Sequence, residues 1–375
     1  MKKITVSLAG RSYPILIGRK LLPSVGRWVK PLGVGPKVLI VSNRRVAGLF
    51  LRTVRASLAR AGFEVVKPYL LPHGDERDKS SRALVRLWTH MAAEKMERSS
   101  AVLALGGGVV GDLAGFAAST YMRGIPVVQV PTTLLAQVDA AIGGKAAIDL
   151  PSAKNIVGAF HQPCLVVADV DTLAPSGIRE LRNGFAEVIK YGVIRDPALF
   201  RLLERKARGF FSSASKGPLG NQELSFLETV VRRSARVKAE IVARDEREIQ
   251  GERLILNYGH TFAHGLEAAS GYRLPHGEAV AIGMTAAARL ARRLGLLAER
   301  AEIRQRELLH AVGLPTRLPR SLRPEDVIRP MQLDKKKKRG KLHFILPKKI
   351  GRAFVAGRIP QGLARRVLSE LRERS

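Results

Sequence analysis

Apolar positions in the first half of the chain alternate between short continuous runs and helical spacing. Lys37–Asn43 is a β-branched run, and a helical pattern follows it over Arg45–Ala61. The same order returns as Phe63–Leu71 followed by Ser80–Met96. Strands that alternate with helices at this spacing predict a parallel sheet covered by helices on both faces.

Further apolar runs extend the predicted sheet. Ala101–Leu105 is too short for a helix and ends in glycines, and Val127–Val130 ends at a proline. The apolar stretch at the N-terminus breaks at Gly10 and lacks a small-residue cleavage site, so it predicts two strands joined by a turn and not a signal peptide.

The pattern changes to helices after about Pro175, and the last strand signals form a hairpin. Apolar residues then recur at helical spacing over Arg179–Ile194, Leu224–Val242, Leu254–Ala269 and Glu278–Leu297. Lys341–Leu346 and Arg352–Ala356 flank a turn and predict the hairpin. We therefore expect two domains, an α/β domain over residues 1–175 and a helical domain over residues 176–375, packed with a cleft between them.

Composition adds a strong charge to an otherwise ordinary globular chain. Of 375 residues, 64 are Lys or Arg and 32 are Asp or Glu, which gives a net charge of +32. Such a chain attracts anions, from nucleic acid and acidic membranes to phosphorylated or carboxylated small molecules. The sequence has no apolar run of ~18 residues, so we expect no membrane span. One cysteine, Cys164, excludes an internal disulfide and favours a cytoplasmic location.

A glycine-rich turn follows the predicted strand Ala101–Leu105. Gly106, Gly108 and Gly111 satisfy the G-x-G-x-x-G pattern, in which the backbone approaches a pyrophosphate at a helix N-terminus. The acidic residue expected about 20 positions later for a ribose hydroxyl is missing. The turn therefore predicts a phosphate cradle without the usual Rossmann layout, and a purely structural turn is the alternative.

Three histidines and a carboxylate form the strongest chemical signal. His260 and His264 are four residues apart, so they share one helix face, and His276 precedes the next helical pattern. Glu187 and Lys190 are three apart on an otherwise apolar helix. Single buried histidines are usually core residues, but this cluster favours a metal or catalytic site. Two histidines, one carboxylate and an open fourth position are typical of a zinc ion that acts as a Lewis acid.

Polar residues also punctuate the segment between the two halves. Asp139, Lys145, Lys154 and Asn155 lie in or after a run with paired glycines. The segment is either a solvated loop or a site at which lysines bind a phosphate or carboxylate.

Taken together, these motifs resemble one known family. The strings GGGVVGDLAGFAAS, YMRGI, VPTTLLAQVDAAIGGKAAID, KNIVGAFHQP, AEVIKYG, LNYGHTFAHGLE, HGEAVAIGM and DKK resemble those of the 3-dehydroquinate synthases, over about residues 38–351. The resemblance implies an N-terminal, Rossmann-like NAD-binding α/β domain and a helical metal-binding domain, with the active site in the cleft. It also implies a cytoplasmic phosphorus–oxygen lyase of the shikimate pathway, which leads to chorismate and aromatic amino acids.

The implied reaction converts 3-deoxy-D-arabino-heptulosonate 7-phosphate to 3-dehydroquinate and phosphate. It runs through transient oxidation by NAD, phosphate elimination, re-reduction and an intramolecular aldol closure, with one divalent zinc or cobalt ion. The resemblance also implies a homodimer, with Arg123 reaching across the interface.

Motif matching transfers the family's site residues to this chain. The implied metal ligands are Glu187, His260 and His276. The implied catalytic and substrate residues are Arg123, Asp139, Lys145, Asn155, Lys190, Lys238, Glu248, Arg253, Asn257, His264 and one of Lys335 or Lys336. The implied NAD contacts are Asn43, Glu76, Lys79, Gly107, Gly108, Asp112, Thr132, Thr133, Lys145 and Lys154.

Two departures from the family pattern bear on these assignments. The segment between Glu248 and Arg253 is one residue longer than usual, which puts the placement of Arg253 in question. Ala263 and Gly265 exchange the usual small residues of the histidine motif, and we expect the helix to pack all the same.

Three alternative functions remain open from the sequence. A related sugar-phosphate cyclase of the inosose or valiolone type keeps the NAD and metal motifs, but Lys238, Arg253, Asn257 and the DKK lysine favour a substrate with a carboxylate. A metal-dependent polyol dehydrogenase would release NADH. A nucleic-acid-binding protein would account for the charge, but no nucleic-acid-binding motif accompanies it, so we expect neither a specific nucleic acid nor a membrane as partner.

Overall fold

The computed structural model of the chain describes residues 1–150, 153–337, 343–357 and 359–372, with the backbone alone for residues 332–337 and 361. The chain divides into two compact units. The first contains Met1–Ser176 and Leu219–Arg247, and the second contains Gly177–Pro218 and Glu248–Ser375. The helix over Asn221–Arg244 thus belongs to the first unit.

The first unit is built on an eight-stranded sheet with the order β1-β2-β10-β7-β6-β3-β4, in which β5 also pairs with β3. Its strands are β1 (Lys2–Val6), β2 (Tyr13–Gly18), β3 (Lys37–Asn43), β4 (Glu64–Val65), β5 (Tyr69–Leu71), β6 (Ala101–Gly106), β7 (Val127–Pro131) and β10 (Leu165–Asp169). β1 pairs antiparallel with β2, and the other pairs are parallel. The predicted mostly parallel sheet is confirmed, and so are the two N-terminal strands joined by a turn.

Side chains of the central strands alternate between two hydrophobic clusters, because successive residues of a strand point to opposite faces. Leu39 and Val41 of β3 pack in one cluster, and Val38 and Ile40 pack in the other. Both faces are therefore covered, by the helices α1 (Val25–Val29), α2 (Arg44–Val46), α3 (Arg52–Arg60), α4 (Ser81–Ala93), α5 (Gly108–Thr120) and α8 (Asn221–Arg244), with a π-helical segment over Ala47–Leu51.

Two predictions for this unit need correction. Phe63–Leu71, predicted as one strand, forms the two short strands β4 and β5, because Pro68 lies between them and lacks the N–H that a ladder needs. The polar segment after Gly144 is not a solvated loop. It contains an antiparallel hairpin of β8 (Lys145–Leu150) and β9 (Ala153–Phe160), whose two residues between the strands lie outside the described part.

The second unit is mainly helical, as predicted. Its helices are α6 (Ile178–Ile194), α7 (Pro197–Ala214), α9 (His260–Ala269), α10 (His276–Arg293), α11 (Glu299–Val312), α12 (Pro324–Lys337) and α13 (Gln361–Glu370). The predicted hairpin is present as β11 (Phe344–Lys349) paired with β12 (Arg352–Ala356), and Lys341 and Leu342 of the predicted first strand lie outside the described residues. In the described part of the chain, no helix is both long and apolar enough to cross a membrane.

The helix predicted over Leu254–Ala269 is interrupted. A 3-10 helix covers Glu252–Asn257, and α9 begins at His260 after Gly259, whose φ is +82°. A Cβ at Gly259 would lie 2.7 Å from Cγ of Met284, so glycine serves both the left-handed backbone and the close contact with α10. The apolar periodicity continues through this break, which explains why the sequence pattern does not reveal it.

Gly265 lies where α9 packs against α12. A Cβ at this position would lie 2.6 Å from the carbonyl oxygen of Val327 and 2.9 Å from Cγ of Met331. Alanine is intrinsically better than glycine in a helix by ~1 kcal/mol, but the contact with a backbone oxygen outweighs this gain because the helices must separate. We predict that Gly265→Ala lowers the free energy of unfolding by ~1–3 kcal/mol in urea denaturation.

Gly209→Ala in α7 is the matched control, because a Cβ there would meet nothing within 4 Å. This variant should be as stable as the wild type or more stable. Equal stability of Gly265→Ala and the wild type would show that α9 and α12 are not in close contact.

Candidate active site

A buried carboxylate lies on the helix α6. Glu187 has 0% relative exposure, and the ammonium of Lys190, one turn later, contacts Oε2 of Glu187 and is 2% exposed as a side chain. An ionised group is costly to bury unless charges or hydrogen bonds compensate it. The side-chain pair is therefore a candidate for chemistry on a helix that otherwise buries apolar residues.

Two histidines bring their rings to the same carboxylate from two further helices. His260 is the first residue of α9 and His276 is the first residue of α10. Their Nε2 atoms lie 3.5 and 3.6 Å from Oε1 of Glu187. One ligand atom from each of Glu187, His260 and His276 lies within 4.8 Å of the other two. Among the described residues, these three are the His, Cys, Asp or Glu side chains that are grouped closely enough to hold a metal ion.

The second ring nitrogen of each histidine is held in place. Nδ1 of His260 lies 3.2 Å from the carbonyl oxygen of Tyr258, and Nδ1 of His276 lies 3.1 Å from Oε1 of Glu267. Histidines that ligate metals usually donate this N–H to a carbonyl or carboxylate, which fixes the tautomer and leaves Nε2 for the ion. The arrangement therefore fits a metal site in which both histidines bind through Nε2.

The electrostatics of the three residues favour a cation. Burial lowers the pKa of His260 to about 3, against the attraction of Glu187, so its ring is neutral at pH 7. Burial also disfavours a charged His276, but hydrogen bonds and charge from Glu187 and Glu267 outweigh it and raise the pKa of His276 to about 10. The carboxylates that stabilise a proton on His276 would stabilise a metal ion at the same place. Two imidazoles and a carboxylate with an open position are the donor set of a catalytic zinc site.

Glu267 orients a candidate metal ligand without being one. Glu267→Gln keeps the size of the side chain but removes the charge that its hydrogen bond brings to His276. Changes of this kind typically cost about 10–100-fold in metal affinity. We predict such a loss for zinc in competition with a chelator, with little change in the circular dichroism spectrum. Glu299→Gln, at an exposed position on α11, is the control and should keep wild-type affinity. Equal affinities of Glu267→Gln and the wild type would show that Glu267 does not support the site.

The other candidate residues of the second unit lie close to this group in sequence and fold. His264 is one turn beyond His260 on α9, and the two ring centroids are 5.7 Å apart. Asn257 donates a hydrogen bond of 3.2 Å from Nδ2 to Oε1 of Glu248. Arg253 is 2% exposed. Arg253 and Asn257 both lie in the 3-10 helix that precedes α9.

The extra residue before Arg253 is accommodated by turn geometry. Glu248 and Gly251 have φ values of +59° and +87°, and Ile249 between them is 80% exposed. The longer segment therefore projects Ile249 outward, and Arg253 stays buried.

In the first unit, the glycine-rich turn leads into a helix as predicted. Gly107 is the N-cap residue of α5 and Gly108 begins the helix. A Cβ on Gly107 would lie 3.1 Å from Cγ2 of Thr133, so the turn packs closely on the end of β7. Oγ1 of Thr132 is buried and has no hydrogen-bond partner among the described residues. A helix N-terminus with a free hydroxyl beside it suits a phosphate group.

A polar network follows from the same helix. Nζ of Lys79 lies 2.8 Å from Oδ2 of Asp112 and also contacts Oδ1 of Asn155. Glu76 lies 3.8 Å from the ammonium of Lys79 and 3.5 Å from that of Lys154. Burial raises the pKa of Asp112 to about 6, although Lys79 opposes the shift. The network brings together five side chains that the family motifs assign to NAD or substrate.

The remaining candidates of this unit have separate positions. Lys238 of α8 contacts the carboxylate of Asp139 and donates to its carbonyl oxygen at 2.7 Å. Asn43 accepts a hydrogen bond of 2.9 Å from the backbone of Val46 and so caps α2. Lys145 begins β8 and is exposed.

Two assigned basic positions remain, that of Arg123 and that of the lysine at 335 or 336. Arg123 is exposed after α5 and has a φ of +66°. The backbone of Lys335 and Lys336 lies in the last turn of α12, but both side chains are outside the described residues.

Comparison with known proteins decides the family. A sequence model described as 3-dehydroquinate synthase N-terminal matches residues 69–183, and one described as 3-dehydroquinate synthase C-terminal matches residues 184–337. A curated 3-dehydroquinate synthase of Desulforamulus reducens is 46% identical over 371 residues, which cover 99% of this chain and 100% of the relative. The chain belongs to the 3-dehydroquinate synthase family. The resemblance predicted from the motifs is thus confirmed.

Solved structures of related cyclases share the fold. The 2-epi-5-epi-valiolone synthase ValA of Streptomyces hygroscopicus subsp. jinggangensis, with NAD+ and Zn2+ bound, is 29% identical with a TM-score of 0.86, covering 99% of this chain and 98% of ValA. A 2-deoxy-scyllo-inosose synthase complexed with carbaglucose-6-phosphate, NAD+ and Co2+ is 26% identical with a TM-score of 0.84, covering 98% of this chain and 99% of that one. Both are less similar in sequence than the Desulforamulus reducens enzyme, so the family assignment rests on the latter.

Two residues of the metal site were not among the sequence candidates. Glu267 follows His260 by seven residues, which is about two helical turns, so a carboxylate at that spacing was an available signal. Tyr258 acts through its backbone carbonyl, and a backbone group leaves no signal in the sequence. Its side chain is fully buried, and its hydroxyl donates to Oε1 of Gln305 at 2.7 Å.

Proposed function

We propose that the chain is a 3-dehydroquinate synthase, which converts 3-deoxy-D-arabino-heptulosonate 7-phosphate to 3-dehydroquinate and phosphate. The observation that carries the proposal is 46% identity along the whole length of a curated 3-dehydroquinate synthase. As a phosphorus–oxygen lyase, the enzyme would oxidise the substrate transiently, eliminate phosphate, reduce the product and close the carbocycle by an aldol step.

The proposed cofactors are NAD and one divalent metal ion, zinc or cobalt. The related cyclases bind NAD+ with Zn2+ or Co2+, and the triad of Glu187, His260 and His276 has the donor chemistry for such an ion. When bound, NAD accepts and returns a hydride and the metal ion lowers the pKa of the substrate hydroxyl.

We assign NAD to the glycine turn of the first unit. The N-terminus of α5, with Gly107 and Gly108, would hold the pyrophosphate, and the free hydroxyl of Thr132 would donate to it. The proposed domains are an NAD-binding α/β domain over residues 1–175 and a helical metal- and substrate-binding domain over residues 176–375, and some substrate residues come from the first of them.

Proton transfer is assigned to groups beside the triad. His264 lies on the face of α9 that carries His260, so it would accept the proton of the substrate hydroxyl, directly or through a water. Lys190 would hold Glu187 in its ionised form through their contact and keep that carboxylate available as a ligand. The role of Lys190 requires an ordered side chain, and the burial of Glu187 and Lys190 on α6 provides that order.

Basic side chains are assigned to the two anionic groups of the substrate. Arg253 presents a planar guanidinium suited to a carboxylate, and Asn257 lies one 3-10 turn further along the chain. Lys238, Lys145, Arg123 and the lysine at 335 or 336 complete the set, with Asp139, Asn155 and Glu248 as its polar partners. A sugar-phosphate cyclase whose substrate lacks a carboxylate would not need Arg253 and Asn257 in addition to the lysines. The proposal also includes a cytoplasmic homodimer with no specific nucleic acid as partner.

The proposal predicts that NAD is regenerated in every turnover. With the heptulosonate phosphate, zinc and a substoichiometric amount of NAD+, we expect many moles of phosphate and of dehydroquinate per mole of NAD+. Absorbance of NADH should show no steady rise, because the hydride returns to the same substrate molecule. Phosphate release and dehydroquinate formation should proceed in equal amounts.

Other outcomes would redirect the assignment. NADH formed in step with product would support a polyol dehydrogenase. Phosphate released from glucose 6-phosphate, which lacks a carboxylate, but not from the heptulosonate phosphate would support an inosose-type cyclase.

A further inference from the structure

A basic cavity of about 350 Å³ lies in the second compact unit. Arginines line it from several elements: Arg289 of α10, Arg306 of α11, Arg317 after α11 and Arg372 after α13. None of its lining residues belongs to the candidate active site, and the proposed reaction gives them no role. The cavity therefore needs a separate explanation.

One arginine of the cavity is already neutralised by carboxylates. Arg289 contacts Glu302 through Nε and donates from Nη1 to Oε2 of Glu370 at 3.1 Å. The other oxygen of Glu370 accepts from Arg293 at 2.7 Å. The carboxylate that lines the cavity is therefore fully engaged with α10, and it is not available to the other arginines.

Three guanidinium groups of the cavity have no counter-charge among the described residues. In the part of the chain that the structure describes, no ion pair or side-chain hydrogen bond involves Arg306, Arg317 or Arg372. These three positive side chains, of which Arg306 is half-buried and Arg317 and Arg372 are exposed, line one small cavity and would attract an anion to it. Each guanidinium also presents parallel N–H donors that match the oxygens of a phosphate or a carboxylate.

The wall of the cavity is fixed by hydrogen bonds. Thr316 is 3% exposed, and its hydroxyl lies 2.8 Å from Nε2 of His310. The backbone of Leu318 donates to the carbonyl oxygen of Leu371 at 2.9 Å, which ties the segments that carry Arg317 and Arg372 together. The arginines thus extend from a defined frame, as a binding site requires.

The lining indicates what kind of ligand fits. Among the described lining residues, His310 has the sole aromatic ring, so a nucleobase would find little to stack on. The volume is at the small end of the range for ligand pockets. We propose that this cavity binds a small multivalent anion that carries phosphate or carboxylate groups, at a site separate from the active site.

Titration calorimetry on the full chain tests the proposal, with citrate as the carboxylate probe and pyrophosphate as the phosphate probe. We expect at least one of them to bind with a dissociation constant below about 1 mM. Arg306→Gln with Arg317→Gln should weaken this binding at least about tenfold, because each substitution removes a charged hydrogen-bond donor. Basal turnover of this double variant should match that of the wild type.

Two controls separate the cavity from other sources of binding. Arg205→Gln with Arg208→Gln removes the same charge from exposed positions on α7 and should leave the affinity unchanged. Lys190→Ala alters the candidate active site and should also leave the affinity unchanged. The proposal is overturned if neither probe binds, if both double variants weaken binding equally, or if Lys190→Ala abolishes binding and the cavity variant does not.

Discussion

His260→Ala should abolish tight metal binding and lower turnover by several orders of magnitude. The Nε2 atom of His260 lies 3.5 Å from Oε1 of Glu187, and the ligand atoms of the triad lie within 4.8 Å of one another. Loss of even a residue that supports a ligand costs about 10–100-fold in metal affinity, so loss of a ligand itself costs at least as much. Without the metal, the substrate hydroxyl keeps its ordinary high pKa.

Metal content after dialysis and turnover at saturating substrate measure this effect. His90→Ala, at a half-buried position on α4 outside the candidate site, is the control and should keep both at the wild-type level. Thermal unfolding of His260→Ala in the presence of a chelator should resemble that of the wild type under the same conditions, since neither then holds an ion. Full metal occupancy and activity in His260→Ala would disprove the assignment of the triad.

Much of this fold is visible in local patterns. The β-branched run Lys37–Asn43 and the apolar run Ala101–Leu105 are buried on both faces, so they read as continuous hydrophobic segments. The helical spacing of Arg179–Ile194 agrees within one residue with α6. In these segments the conformation that the local sequence favours is also the one that buries their apolar side chains. The sequence alone therefore predicts them.

Features that depend on distant contacts are harder to predict. The helix breaks at Gly259 within a continuous apolar period, where the backbone is left-handed and Met284 of another helix approaches closely. The hairpin of β8 and β9 joins small and polar residues whose pattern suits a loop, and its pairing becomes apparent once Ala146 and Ile148 pack on the core beside α5. Tertiary packing determines the conformation of both segments, and the local pattern of apolar residues does not reveal that packing.

The candidate site shows the same division. The spacing of His260 and His264 places them on one face from sequence alone, whereas their meeting with Glu187 depends on how α6, α9 and α10 pack. For that meeting the family motifs are the available signal, since residues 73 positions apart have no periodicity in common. The roles of Glu267 and Tyr258 arise from hydrogen bonds to the second ring nitrogens, which become visible only in three dimensions.

Lys190→Ala should lower turnover by about 10²–10⁴-fold, because the proton transfer beside the triad, which typically contributes this much, depends on the carboxylate that Lys190 holds ionised. The side chain of Lys190 is 2% exposed, and its ammonium contacts the buried carboxylate of Glu187. In a medium of low polarity this contact is worth several times what it would be worth in water. Removal of the ammonium leaves Glu187 with less compensating charge, which disturbs both the ligand and the proton transfers beside it.

The rest of the positive charge should matter far less to turnover. Lys206→Ala removes an exposed ammonium on α7 and should leave turnover unchanged, and so should the joint neutralisation of Lys337, Lys338 and Arg339.

Breaking a buried ion pair destabilises proteins by ~3–5 kcal/mol, so turnover of Lys190→Ala must be measured well below its unfolding temperature. Lys190→Met is the second variant, because methionine restores much of the lost side-chain volume. Both variants should bind zinc and remain slow. Wild-type turnover of Lys190→Met would show that Lys190 only fills space and that its charge is not needed. Loss of activity on neutralising Lys337, Lys338 and Arg339, with Lys190 intact, would show that the charge that serves the substrate lies near the end of α12 and not beside Glu187.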